Sequence, residues 1–135
     1  MNFAASGVER VIRVRAQKDQ LVLVRRFVEE VAREASLDAE KAFDLKVAVC
    51  EACANAVEHG CEGSGFVEIR ALLGHRRLTL VVTDSGCFRP PSYCDGPLPK
   101  RGLGLPLMVA LMDEVVFTRS PAGGTQVSLS LALEQ

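Results

Sequence analysis

The feature that most constrains this chain is the way its apolar spacing changes period. From Val8 to Ala16 (VERVIRVRA) apolar and polar residues alternate, the period of a strand with one face on a core. Leu21, Val24, Phe27, Val28, Val31 and Ala35 then recur at three and four, the stripe of an amphipathic helix that begins near Asp19, its expected cap. Ser36 ends that stripe, and Asp38, with Lys41 three residues on, opens a second helix to about His59, rich in Ala, Leu and Val. Gly60, Gly63, Ser64 and Gly65 break it. Phe66 to Leu73 and Arg77 to Thr83, joined through Gly74-His75-Arg76, fit an antiparallel hairpin. From Asp84 to Arg101 the chain holds four of its six prolines, a loop too long to be a mere connection and expected to act as a lid. A short apolar helix through about Met112 follows, then strands Glu114 to Arg119 and Thr125 to Leu133 joined by Pro121-Ala122-Gly123-Gly124.

That order predicts an α+β fold: a two-layer sandwich with helices on one face of a mixed, mostly antiparallel sheet. At 135 residues and 48% hydrophobic content, one domain over residues 1–135 can bury a sizeable core and a second has no room. Lys+Arg 16 against Asp+Glu 17 supplies no field for nucleic acid or an anionic membrane, so neither is expected as a partner. No apolar run nears the roughly 20 residues that span a bilayer, and no basic-then-apolar leader opens the chain, so a cytoplasmic protein is expected. The five cysteines read as reduced thiols, and Cys87, Cys94 and His75 lack a zinc spacing.

Glu51, Asn55 and His59 lie four apart on the second helix, one polar stripe. The apolar stripe is expected at Val47, Cys50, Ala54 and Val57, which puts the polar stripe at the edge of the buried face, on a cleft wall. Asn offers magnesium a hard carbonyl oxygen, and Glu can accept a proton or orient a water. Thr83-Asp84-Ser85-Gly86 presents a carboxylate at a strand end, able to accept a hydrogen bond from an exocyclic amine such as adenine's, with room for a flat ring over Gly86. Arg101-Gly102-Leu103-Gly104-Leu105 opens a helix with glycines, so backbone N–H groups can approach a phosphate, with Lys100 and Arg101 adding charge. Neither the Walker pattern nor the dinucleotide fingerprint is present.

In order and spacing these features, with Gly124-Thr125 before the last strand, resemble the GHKL (Bergerat-fold) ATPases. Within that superfamily the chain is similar to the anti-sigma-factor serine kinases of the RsbW and SpoIIAB type. The resemblance is carried by Asp44 to His59, by Gly102-Leu103-Gly104-Leu105-Pro106-Leu107-Met108 and by Leu111-Met112-Asp113, and extends over nearly the whole chain. It implies ATP and Mg²⁺ as cofactors, with Asn55 on the metal and Glu51 as the base toward a serine hydroxyl. It also implies Asp84 on the adenine amine with Gly86 and Thr125 in support. Gly102 and Gly104, flanked by Leu103 and Leu105, would lie at the phosphates, and either Lys100 or Arg101 at the γ-phosphate. His59 has two readings, a phosphate-side group or a satisfied histidine at the cleft edge. The lid departs from many relatives in running Cys87-Phe88-Arg89-Pro90-Pro91 after Gly86, without a further glycine.

The expected function is an ATP-dependent serine kinase that phosphorylates a STAS-type anti-anti-sigma protein and sequesters a sigma factor, as a homodimer. The alternative is a nucleotide-gated partner-binding module without phosphotransfer. The catalytic domain of a sensor histidine kinase calls for a phosphoacceptor histidine upstream, and residues 1–37 carry none.

Overall fold

The structure, a computed structural model, describes residues 8–59, 65–74, 76–84, 104–119 and 125–133. Strand β1 (Val8–Arg15) leads through a 3-10 turn (Lys18–Gln20) into α1 (Leu21–Glu34) and α2 (Ala39–His59). The hairpin β2 (Phe66–Gly74) and β3 (Arg77–Asp84) follows, then α3 (Gly104–Leu111), β4 (Glu114–Arg119) and β5 (Thr125–Ala132).

Local chemistry explains most boundaries. Asp19 is not the cap of α1: it lies inside the 3-10 turn, and the helix starts after Gln20 with no side-chain cap. At the other end the Ser36 N–H donates to the Arg33 carbonyl and the Leu37 N–H to the Ala32 carbonyl, both at 3.0 Å, with Ser36 left-handed at φ 58°. This six-to-one closure reverses the chain between α1 and α2. Asp38 then caps α2 as expected, Oδ1 accepting the Lys41 N–H at 2.8 Å. In the hairpin Gly74 pairs with Arg77, so the connection is two residues, and Arg76 takes the positive φ (67°) that such a turn requires.

The strand order is β1-β2-β3-β5-β4, and every pairing is antiparallel. Alternate residues of the inner strands, such as Ile69, Leu80 and Leu129, are fully buried beneath the helices. The helices supply Val24 and Val28 from α1, Leu45 and Val49 from α2, and Met108 from α3 to the same core. On the other face of β1 and β2, Glu9, Arg70, Glu68 and Arg13 form a chain of ion pairs, with Arg13 stacked 5.7 Å from the Phe66 ring centre.

The buried face of α2 differs from the one expected. Leu45, Ala48, Val49, Ala52 and Cys53 face the core, whereas Val47, Cys50 and Ala54 are half-buried and Phe43, on their stripe, is 60% exposed. The expected fourth member, Val57, has its side chain outside the described residues. The cause is composition: small and apolar residues occupy nearly all sides of this helix, so spacing offers two stripes and packing selects one.

Candidate functional site

Asp84 is the last residue of β3 and only 8% exposed. Alternation along Leu78, Leu80, Val82 and Asp84 turns all four to the helix side, so the strand that fills the core ends by setting a carboxylate at its rim. Thr83 pairs with Gln126, which makes Asp84 and Thr125 the next positions along two neighbouring strands. The expected pairing of an adenine contact with a supporting threonine therefore has its two positions side by side.

Helix α2 brings the second part. Its C-terminal end returns within a few residues to Phe66, and Val67 pairs with Asp84, so this end of the helix lies at the same end of the sheet as the carboxylate. Glu51 and Asn55 are both half-buried. Measured from the true core face, they lie about 90° to 130° around the helix at 100° per residue, on the flank opposite Cys50. The half-burial of Glu51 and Asn55 fits a flank of α2, although the apolar stripe used to locate it was the wrong one. His59 is the last residue of the helix, and its side chain lies outside the described residues.

The third part is the start of α3. Its last residue, Leu111, precedes Glu114, which pairs with Ser130, whereas Arg119 pairs with Thr125 beside Asp84. Eight helical residues rising about 1.5 Å each span ~12 Å from Gly104 to Leu111. The first N–H groups of a helix have no partner within it, and an anion can meet them. Pro106, in the first turn, lacks only a donor that would be unpaired anyway.

Asp84 and Thr125 thus lie on adjacent strands at one end of the sheet, and α2, which carries Glu51 and Asn55, packs against α3, which opens with Gly104 and Leu105. Gly86, Lys100, Arg101, Gly102 and Leu103, and with them the expected lid, lie outside the described residues. A cavity of about 120 Å³, lined by Ala35, Ser36, Lys41 and Leu133 among others, opens at the opposite end and includes none of the set.

The donor set suits magnesium held largely by phosphate. Among the described residues no group of three or more His, Cys, Asp or Glu could hold a metal ion. Mg²⁺ on a nucleotide needs only one or two protein oxygens beside phosphates and waters, and the half-buried amide of Asn55 can supply one. The cysteines of α2 are not reactive groups: burial pushes the Cys53 thiol far up and, less strongly, the Cys50 thiol. Among the described residues no helix is long and apolar enough to cross a membrane.

Comparisons with known proteins bear on the family and the fold. The family model for the histidine kinase-like ATPase domain matches residues 14–131. Serine-protein kinase RsbW of Bacillus pumilus is 35% identical, covering 85% of this chain and 80% of its own. The anti-sigma F factor of Clostridium acetobutylicum is 31% identical, covering 83% and 85%. Among solved structures, the RsbU and RsbW domains of a Mycobacterium tuberculosis protein superpose with a TM-score of 0.73 at 26% identity, over 95% of this chain and 33% of that one. The chain belongs to the histidine kinase-like ATPase domain family and, within it, to the group of RsbW kinases and anti-sigma F factors.

Proposed function

We propose that the chain is an ATP-dependent serine-protein kinase and anti-sigma factor that phosphorylates a STAS-type anti-anti-sigma protein and sequesters a sigma factor. It acts in the cytoplasm, as one domain and as a homodimer. The observation that carries this reading is the buried carboxylate of Asp84 at a strand end, beside a helix edge bearing Glu51 and Asn55, within this family's fold.

Asp84 accepts a hydrogen bond from the exocyclic amine of adenine, and Thr125, next to it across the ladder, supports that contact. Gly86 leaves the ring its space. Asn55 would hold Mg²⁺, which would supply neutralisation of phosphate charge. The N–H groups at the start of α3, with Gly102, Leu103, Gly104 and Leu105, receive the phosphates, and Lys100 or Arg101 meets the γ-phosphate. Glu51, four residues before Asn55 and so one turn along the same face, takes the proton of the attacking serine hydroxyl. Phosphoryl transfer needs positioning and charge neutralisation above all, and this set supplies both.

The test is phosphoserine formation with Mg-ATP and the cognate STAS-type protein. Glu51→Gln is expected to slow transfer by about 10²- to 10⁴-fold, the usual contribution of a general base, while ATP affinity stays near wild type. Unchanged turnover removes Glu51 from that role. Stoichiometric ATP binding by the wild type with no phosphate gained by any partner replaces the kinase with a nucleotide-gated binding module.

A further inference from the structure

Helix α2 is apolar on two sides, and the core uses one of them. Leu45, Ala48, Val49, Ala52 and Cys53 are buried. Phe43, Val47, Cys50 and Ala54 follow one another at steps of four, three and four. At 100° per residue these four fall within about 60° of one another, roughly opposite the buried stripe. Phe43 stands mostly in solvent, and the other three are half-buried. Alternating steps of three and four are the spacing of a helix that seats against another helix, and an apolar stripe left facing outward marks a contact surface.

The two edges of this stripe differ in charge. On one, Lys46 donates to Glu29 of α1 at 3.0 Å, so α1 adjoins that edge and the ammonium has its partner. On the other, Glu40 and Asp44 lie about 50° to 90° around the helix from the centre of the stripe. Glu40 is exposed and Asp44 half-buried, and among the described residues neither carboxylate takes part in a hydrogen bond or ion pair. Charges at the edge of a helical seam select the charge of the partner helix, so this edge favours Lys or Arg. It also disfavours self-pairing: two copies of α2 packed antiparallel would set the acidic edge, Asp44 with Glu51, against itself.

We propose that the outward stripe of α2 is the docking seam for an amphipathic helix of a partner protein, one whose apolar stripe is edged with Lys or Arg where it meets Glu40 and Asp44. Phe43 is the anchor, since an aromatic side chain offers the largest apolar surface to bury. The seam is independent of the kinase reading, and Glu40, Phe43 and Asp44 have no role in the proposed nucleotide site.

Two synthetic helical peptides of about three heptads test it, both with Leu at alternating steps of three and four, one edged with Lys and the other with Glu. Fluorescence anisotropy with the full chain is expected to find the Lys-edged peptide bound at least about tenfold more tightly than the Glu-edged one. Phe43→Ala should weaken the Lys-edged peptide by about tenfold or more. Val109→Ala, at an exposed apolar site on α3, should leave its affinity unchanged. Glu40→Gln combined with Asp44→Asn should bring the two peptides to within about twofold of each other. Circular dichroism checks that each variant keeps its helices. No measurable binding of the Lys-edged peptide, binding indifferent to Phe43→Ala, an equal loss in Val109→Ala, or an unchanged preference in the double variant overturns the seam. Self-association of the wild type that Phe43→Ala abolishes, read by sedimentation velocity, gives the stripe to a second copy and overturns the partner helix. Mg-ATP binding, measured in parallel, reports separately on the kinase reading.

Discussion

At the scale of single residues, Asp84 is the group the proposed function sets against the adenine amine. A carboxylate this buried sits most stably where its oxygens accept hydrogen bonds, and an adenine amine can provide one. Asp84→Asn replaces an acceptor with an amide that can also donate. Losing a hydrogen bond to a charged group costs about 1.5–3 kcal/mol, so calorimetry should find ATP bound ~10- to 100-fold more weakly, with the preference over GTP reduced. The Asp84-x-Gly86 spacing made this residue legible before its burial was known. Cys53 was not read as a core group, because the apolar stripe was set on Val47, Cys50, Ala54 and Val57, which leaves Cys53 out. Its thiol is pushed up by burial, whereas in the unfolded chain it ionises near the ordinary 9.0. The folded state thus holds the proton more tightly, so its stability is fully present below pH 9.0 and declines as pH rises past it. The decline is about 1.4 kcal/mol per pH unit for such a thiol. Urea denaturation at stepped alkaline pH should find that slope, and Cys53→Ala should flatten it whatever the variant costs at neutral pH.

Among the elements, the reversal between α1 and α2 shows how far short-range chemistry reaches. Asp38 is readable as a cap from its side chain and its place before a helical pattern, and its carboxylate does accept the Lys41 N–H. Ser36 reads only as the end of a stripe. Its left-handed φ of 58° follows from the closure hydrogen bonds, which demand that geometry of whatever residue stands there. A side chain in this conformation costs roughly 1–2 kcal/mol, part of which glycine gives back in unfolded-state entropy. Ser36→Gly should therefore stabilise the fold by about 0.5–1 kcal/mol, and Asp38→Ala should destabilise it by about 1 kcal/mol. Chemical denaturation midpoints check both, and equal signs for the two would contradict the cap assignments. The core stripe of α2 was misread for the opposite reason. Leu45, Ala48 and Val49 differ too little in character from Val47, Cys50 and Ala54 for spacing to choose between them.

For the molecule as a whole, the proposed nucleotide site would be linked to folding by the ligand it holds. A ligand that binds only the folded state stabilises it by RT ln(1 + [L]/Kd), about 2.7 kcal/mol at a hundred times Kd. Mg-ATP should therefore raise the thermal midpoint of the wild type. Asn55→Ala should lose that shift, since the phosphate charge is left without its metal, while Ser36→Gly should keep it. Scanning calorimetry with and without Mg-ATP reads both, and a full shift in Asn55→Ala would remove the magnesium role. What the residue order determined by itself was local: alternation that makes strands, three-and-four spacing that makes helices, a capping aspartate, and motifs whose order carries the family resemblance. Strand order, the face of α2 that is buried, and the adjacency of Asp84 and Thr125 across the ladder were decided by tertiary structure. Those depend on which apolar surfaces exclude water against one another, a choice between distant segments that no local pattern encodes.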